Sequence, residues 1–154
     1  KAEAGLMSGI YNLAAIPMSS IITTLLSRQT KESRRNIMLL ISLITLVGLA
    51  LMAITPKNFF AWTIIHIVLS VSNASLFPYM MLSFTMKTSN SQATARLSGM
   101  VQTGGYLIAA FGPVLLGYSF PIFGSWLPLI LSLATVTLVM MWTIVLIEKE
   151  DIII

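Results

Sequence analysis

Five polar residues lie inside long apolar stretches of this sequence: Asn12, His66, Asn73, Gln102 and Tyr106. Carboxamides and a phenol offer uncharged hydrogen-bond donors and acceptors, which suit the binding of a small polar solute or anion. Polar side chains in membrane segments usually face a bundle interior or a water-filled cavity. We predict that these residues line a path for such a solute. His66 has two interpretations, because a histidine can carry a proton but can also be a hydrogen-bonded packing residue.

Several kinds of chemistry are excluded by the residues that the sequence lacks. It contains no cysteine, so it cannot form a disulfide, a thiolate nucleophile or a cysteine-ligated metal site. A histidine-rich metal site within one chain is also excluded, because His66 is the only histidine. Between Gly5 and Ile147 the only carboxylate is Glu32, so the apolar segments hold no acid/base pair. We therefore expect no enzyme activity, no metal and no cofactor.

The elements that carry the polar residues are long apolar segments. Hydrophobic residues make up 56% of the 154 residues and charged residues only 9%, whereas soluble domains carry roughly 25% charged residues. Five segments approach or exceed the ~20 apolar residues that a membrane-spanning helix needs. We predict an all-α, polytopic transmembrane bundle occupying residues 1–154, with about five spanning helices over residues 5–27, 37–55, 59–86, 97–120 and 126–147.

The fourth predicted helix has two unlike faces when it is wound at ~100° per residue. Its small and polar residues fall on one half and its large apolar residues on the other. Small residues let helices approach closely in a membrane, and a proline permits a kink about one turn earlier. We predict packing or gating roles for Gly105, Gly112, Pro113 and Gly117. The first and third helices carry similar stripes, that is, rows of small and polar residues along one face. The second and fifth have little polar content and are expected to be outer supports.

Basic residues are distributed unevenly between the two sides of the predicted bundle. The loops after the first and third helices and the C-terminal tail hold seven of them, and the opposite side holds Lys1 and Lys57. This asymmetry predicts an N-terminus outside and a C-terminus in the cytoplasm. The net charge of +4 thus orients helices, and we expect no nucleic-acid partner. The seven cations on the basic side are Arg28, Lys31, Arg34, Arg35, Lys87, Arg96 and Lys149.

The segment from Arg28 to Arg35 has two interpretations. It can be a solvated loop that obeys the charge asymmetry. Alternatively, it is a gating loop in which Arg34 and Arg35 pair with helix ends or with another domain.

The order of striped and plain helices resembles the last five helices of a twelve-helix major facilitator superfamily transporter. The striped helices stand where that family has its eighth, tenth and eleventh helices, which border the cavity or the interface between halves. A narrower resemblance, mainly over residues 60 to 130, is to bacterial cyanate and 2-nitroimidazole permease-like transporters. It is carried by Leu97-Ser-Gly99, Gln102, Gly105-Tyr106, Ala109-Ala110, Gly112-Pro113, Gly117 and Gly124-Ser-Trp126.

The resemblance implies an alternating-access secondary transporter for a small solute in a bacterial cytoplasmic membrane. It also implies six helices in each of two bundles. We therefore expect this chain, which opens with Lys1, to be a C-terminal fragment whose partners are the lipid bilayer and a missing N-terminal half. The alternative is a non-transporting membrane assembly or scaffold subunit whose stripes bind partner helices.

Overall fold

The chain forms a bundle of helices in a computed structural model that describes residues 2–56 and 58–152. Five helical segments are long and apolar enough to cross a membrane, with α3–α4 and α5–α6 each forming one of them. The predicted all-α fold with five spanning segments is therefore confirmed, and the described residues contain no strand. The helices are α1 Ala2–Ser27, α2 Lys31–Ile54, α3 Phe59–Ala74, α4 Leu76–Lys87, α5 Ser91–Ala110, α6 Gly112–Phe123 and α7 Leu127–Lys149.

Helix α2 begins at Lys31, well before the predicted start at residue 37. Thr30 adopts an extended conformation, and its hydroxyl oxygen accepts a hydrogen bond from the Ser33 backbone N–H at 3.3 Å. Such a cap satisfies a backbone donor that the first turn would otherwise leave free, and Glu32 in that turn favours a helix N-terminus. Most of the basic segment is therefore helical, which fixes the directions in which its side chains point.

Two spanning segments break shortly before a proline, and the break before Pro113 agrees with the kink predicted there. Ser75 separates α3 from α4, three residues before Pro78, and Phe111 separates α5 from α6, two residues before Pro113. A proline lacks the N–H that would bond to the preceding turn, so the helix loosens there. Both junction residues keep near-helical dihedral angles, so the chain continues across each break as one spanning segment. Pro17, in contrast, lies inside an unbroken α1.

Helix α2 lies between α3 and α7 and contributes more buried residues than any other described helix. The approach to α3 is close, because a Cβ built on Gly48 would lie 2.6 Å from Cδ2 of Leu69. Small residues such as Ser42, Thr45 and Gly48 permit this approach. Among the described helices, α2 is thus more extensively packed than its low polar content predicts. Its buried residues are Arg34, Met38, Ser42, Thr45, Gly48 and Leu49.

Candidate functional site

The most completely paired polar side chains lie where α2 begins and where α4 and α7 end. Arg34 donates to both carboxylate oxygens of Glu148, from Nε to Oε1 at 3.2 Å and from Nη2 to Oε2 at 2.9 Å. The Tyr79 hydroxyl donates to Oε1 of Glu148 at 3.1 Å. Lys87 Nζ lies 3.6 Å from Oε2. We call these four residues the Glu148 cluster, in which one carboxylate joins three helices.

The Glu148 cluster is buried as well as paired. Arg34 is 4% exposed, Lys87 3% and Glu148 5%. Arg34 Nη1 also donates to the backbone carbonyl of Gln29 at 3.0 Å, just beyond the end of α1, and Lys87 Nζ donates to the carbonyl of Glu150. Burying charges is costly unless they are paired and hydrogen-bonded. A bidentate guanidinium–carboxylate contact is the strong form of such a pair. The cluster therefore fixes four helix ends against each other.

Of the ion pair in this cluster, Arg34 was predicted from the sequence as a site residue and Glu148 was not. Arg34 pairs with helix ends, as the second interpretation of its segment expected, whereas Arg35 is half-buried and donates only to Asn36 Oδ1, at 3.4 Å, among the described side chains. Glu148 lies just beyond the predicted end of the fifth helix at residue 147 and is not among the predicted site residues. Thr137, Ile144 and Glu148 share the buried face of α7 at spacings of seven and four residues, but apolar residues cover the other faces too, so the sequence does not mark this face as the inner one.

A second polar group joins α1 to α3 on an exposed face of the bundle. Asn73 Nδ2 donates to the Tyr11 hydroxyl oxygen at 3.3 Å, and the Ser70 hydroxyl donates to the Tyr11 backbone carbonyl. Asn12 follows Tyr11, is exposed, and donates from Nδ2 to the Ser8 carbonyl at 2.8 Å. We call Tyr11, Asn12 and Asn73 the Tyr11 group. Of the predicted residues, the structure joins Asn73 to Tyr11, whereas Asn12 is next to Tyr11 in the sequence and bonds within its own helix.

Gln102 and Tyr106 lie on α5. Among the described residues, neither forms a hydrogen bond with the Tyr11 group. Gln102 is half-buried, and its Nε2 donates to Ser98 Oγ at 2.9 Å and lies 3.5 Å from the Met81 sulfur. Met81 is eight residues beyond Asn73 along α3–α4, so Gln102 is about two helical turns away from it along that segment. Tyr106 is 65% exposed.

His66 is hydrogen-bonded to the backbone of its own helix. A carbonyl oxygen can only accept, so Nδ1 carries the hydrogen that it donates to the Trp62 carbonyl at 2.7 Å. The two rings lie 6.0 Å apart at 31°. His66 is half-buried on α3, seven residues before Asn73. Among residues 2–56 and 58–152, no three His, Cys, Asp or Glu side chains are grouped as metal ligands.

The glycines predicted to pack or gate lie on an open surface of α5 and α6. A Cβ built on Gly105, Gly112 or Gly117 would meet no atom of the described chain within 4 Å. Pro113 is exposed in the first turn of α6, and α5 buries none of its residues. Any close packing at these positions must therefore involve atoms outside the described chain.

Comparisons with known proteins place this fold in a family. The family model described as Major Facilitator Superfamily matches residues 1–151. The chain is 33% identical over 135 residues to the uncharacterized transporter YycB of Bacillus subtilis (strain 168), covering 86% of this chain and 33% of that protein. It is 29% identical over 143 residues to the 2-nitroimidazole transporter of Escherichia coli (strain K12), covering 91% of this chain and 34% of that protein.

The chain thus spans about a third of the length of these relatives. No solved structure matches it. The family match extends from the first residue through the end of α7 and includes both polar groups described above. This chain therefore belongs to the major facilitator superfamily.

Proposed function

We propose that this chain is the C-terminal part of an alternating-access secondary transporter, and that its solute path passes the Tyr11 group. Family membership supports membrane transport of a small solute. The main observation in favour of a solute path here is the hydrogen bond between Asn73 on α3 and Tyr11 on α1. It gathers uncharged donors and acceptors from two helices on an exposed face of an apolar bundle. Gln102 and Tyr106 extend this path along α5, and His66 borders it.

The Glu148 cluster supports the part of this proposal that concerns the movement of the helices. In such transporters two helical bundles rock against each other around a site near the bilayer midplane. A bundle can rock as one body only if its helices are fixed to each other. The buried ion pair of Arg34 and Glu148, with Lys87, ties α2, α4 and α7 at one end. The open small-residue face of α5 and α6 is where we propose that the other half of the transporter packs.

The substrate that we propose is an uncharged azole of the 2-nitroimidazole type. One relative is named as a 2-nitroimidazole transporter, and the Tyr11 group offers a phenol and two carboxamides. Neutral donors and acceptors can replace the hydration of a neutral polar ring, whereas an ion loses more hydration energy on entering such a site. We therefore favour this class over a small anion such as cyanate, the other class suggested by the sequence.

We further propose that the chain lies in a bacterial cytoplasmic membrane with α1 entering from the outside. The charge asymmetry supports this orientation. Single cysteines at Ser33 and Ser91 should resist an impermeant thiol reagent in intact cells, and cysteines at Asn58 and Ser125 should react. Labelling at Ser33 and not at Asn58 would reverse the orientation.

Uptake of 2-nitroimidazole by the full-length protein in proteoliposomes tests the function. We expect saturable uptake that Asn73→Ala weakens in apparent affinity. Ser132→Ala is the control, because Ser132 is exposed on α7 and bonds only to its own helix, at the Leu129 carbonyl. The 154-residue chain alone should carry no solute, since one of the two bundles is missing. An absence of 2-nitroimidazole uptake by the full-length protein would contradict the proposed substrate.

A further inference from the structure

We propose that Tyr11 determines substrate specificity, and that Tyr11 and Asn73 together recognise an uncharged ring or amide that presents an acceptor beside an N–H donor. This inference rests on the proposed function, because it concerns the same solute path. It adds a residue that the sequence pattern did not assign to the path, and it names the hydrogen-bonding pattern that the solute must have.

Two residues of α3 hold Tyr11 in place. Ser70 is fully buried, and its hydroxyl donates to the Tyr11 backbone carbonyl. One helical turn further along α3, Asn73 reaches the Tyr11 hydroxyl. Backbone and side chain of Tyr11 are thus both bound to the same neighbouring helix. A hydrogen-bonding group fixed in this way binds a ligand without a large ordering cost.

Among the described side chains, the hydrogen bond between Asn73 and Tyr11 leaves each residue with one hydrogen-bonding group free. The Tyr11 oxygen accepts a hydrogen from Asn73 Nδ2, so its own hydrogen is available to donate elsewhere. Asn73 Oδ1 receives no hydrogen bond from the described side chains and can accept one. The pair therefore presents an O–H donor next to a carbonyl acceptor, and Asn73 is exposed. Tyr11 is half-buried beside it.

The solute must carry hydrogen-bonding groups complementary to those of Tyr11 and Asn73. A matching solute has an acceptor for the Tyr11 hydroxyl and a donor for Asn73 Oδ1, and it needs no charge. An imidazole without a substituent on nitrogen meets both conditions, since it carries one ring N–H and one unprotonated ring nitrogen. A cis amide, as in a lactam, does so as well. An azole methylated on the ring N–H keeps the acceptor and loses the donor, so it separates the roles of the two residues.

The experiment measures how well 2-nitroimidazole and 1-methyl-2-nitroimidazole compete for uptake of labelled 2-nitroimidazole. It uses the full-length transporter in proteoliposomes, at a pH where the ring N–H is retained. In the unsubstituted protein we expect the methylated ring to compete roughly tenfold more weakly, because Asn73 Oδ1 is left without its donor. Asn73→Ala should remove this preference. Tyr11→Phe should weaken both rings by a similar factor, since the phenol serves an acceptor that both possess.

The matched control is Tyr118→Phe, which removes the hydroxyl of an exposed tyrosine on α6. It should change neither affinity nor preference. The thermal unfolding midpoint of each variant is measured in the same detergent, so that a packing role is recognised.

The outcomes are distinct. Saturable uptake with the same ring preference in the unsubstituted protein and in Asn73→Ala, and with unchanged affinities in Tyr11→Phe, would overturn this inference and leave transport standing. A lower unfolding midpoint with unchanged preference would assign the pair to helix packing and also overturn it. If the unsubstituted protein takes up neither ring, the proposed substrate fails, and this inference fails with it.

Discussion

The two polar groups of this chain differ in how many of their hydrogen-bonding atoms are used. The Glu148 cluster is charged and buried, and it joins three helices through contacts of 2.9 to 3.6 Å. The Tyr11 group is uncharged and largely exposed, and its one contact between side chains of different helices is 3.3 Å long. Polar groups that are paired and buried stabilise one arrangement of helices. Polar groups that keep free donors and acceptors on an open face are available to a ligand.

This contrast has an energetic basis. Removing one member of a buried ion pair leaves an uncompensated charge, which typically costs 3–5 kcal/mol. Removing an exposed neutral group usually changes stability by no more than about 0.5 kcal/mol. Substitutions in the two groups should therefore separate stability from solute recognition.

The largest effect is expected for Glu148→Ala. It leaves Arg34 and Lys87 buried without their carboxylate, so the free energy of unfolding should fall by about 3–5 kcal/mol. Denaturation in detergent measures this change. Glu150→Ala is the control, because its side chain is exposed beyond the end of α7. Equal losses at the two positions would mean that the cluster contributes no special stability.

A smaller loss is expected for Tyr79→Phe, which keeps the ring and removes one donor to Glu148. Hydrogen bonds to charged groups contribute about 1.5–3 kcal/mol, and Arg34 still pairs with the carboxylate. The same denaturation measurement applies, with Tyr118→Phe as the exposed counterpart. A variant as stable as the unsubstituted protein would show that the hydroxyl is replaced by water at no cost.

A packing test compares two positions on α2. Gly48→Leu should cost about 1–3 kcal/mol, since even a Cβ at this site would overlap Leu69. Ala50→Leu adds bulk to an exposed position on the same helix and should cost little. If Gly48→Leu is tolerated as well as Ala50→Leu, the close approach of α2 and α3 is not required.

The sequence predicts the five spanning segments well because the membrane imposes a simple rule. A chain in a bilayer must satisfy its backbone internally, so long apolar stretches become helices. The helix breaks before Pro78 and Pro113 were also predictable, since a proline removes a backbone donor wherever the helix lies. These features depend on local sequence, and the structure contains all of them.

The neighbours of each helix were harder to predict. In a membrane both the lipid face and the protein face of a helix are apolar, so hydrophobicity does not mark the inner side. The small residues of α2 looked sparse, yet Ser42, Thr45 and Gly48 are buried. Glu148 lies one residue beyond the predicted end of the fifth helix. Its burial depends on α7 ending where α2 begins, which is a property of the tertiary fold.

The most direct test of the division between the two groups is to measure the affinity for 2-nitroimidazole and the unfolding midpoint on the same preparation of Asn73→Ala. We predict an apparent affinity weaker by about five- to a hundred-and-fifty-fold, which corresponds to ~1–3 kcal/mol for an unpaired polar group of the solute. The unfolding midpoint should stay that of the unsubstituted protein. A lower midpoint with unchanged affinity would contradict this division, because Asn73 would then stabilise the helices and take no part in the solute path.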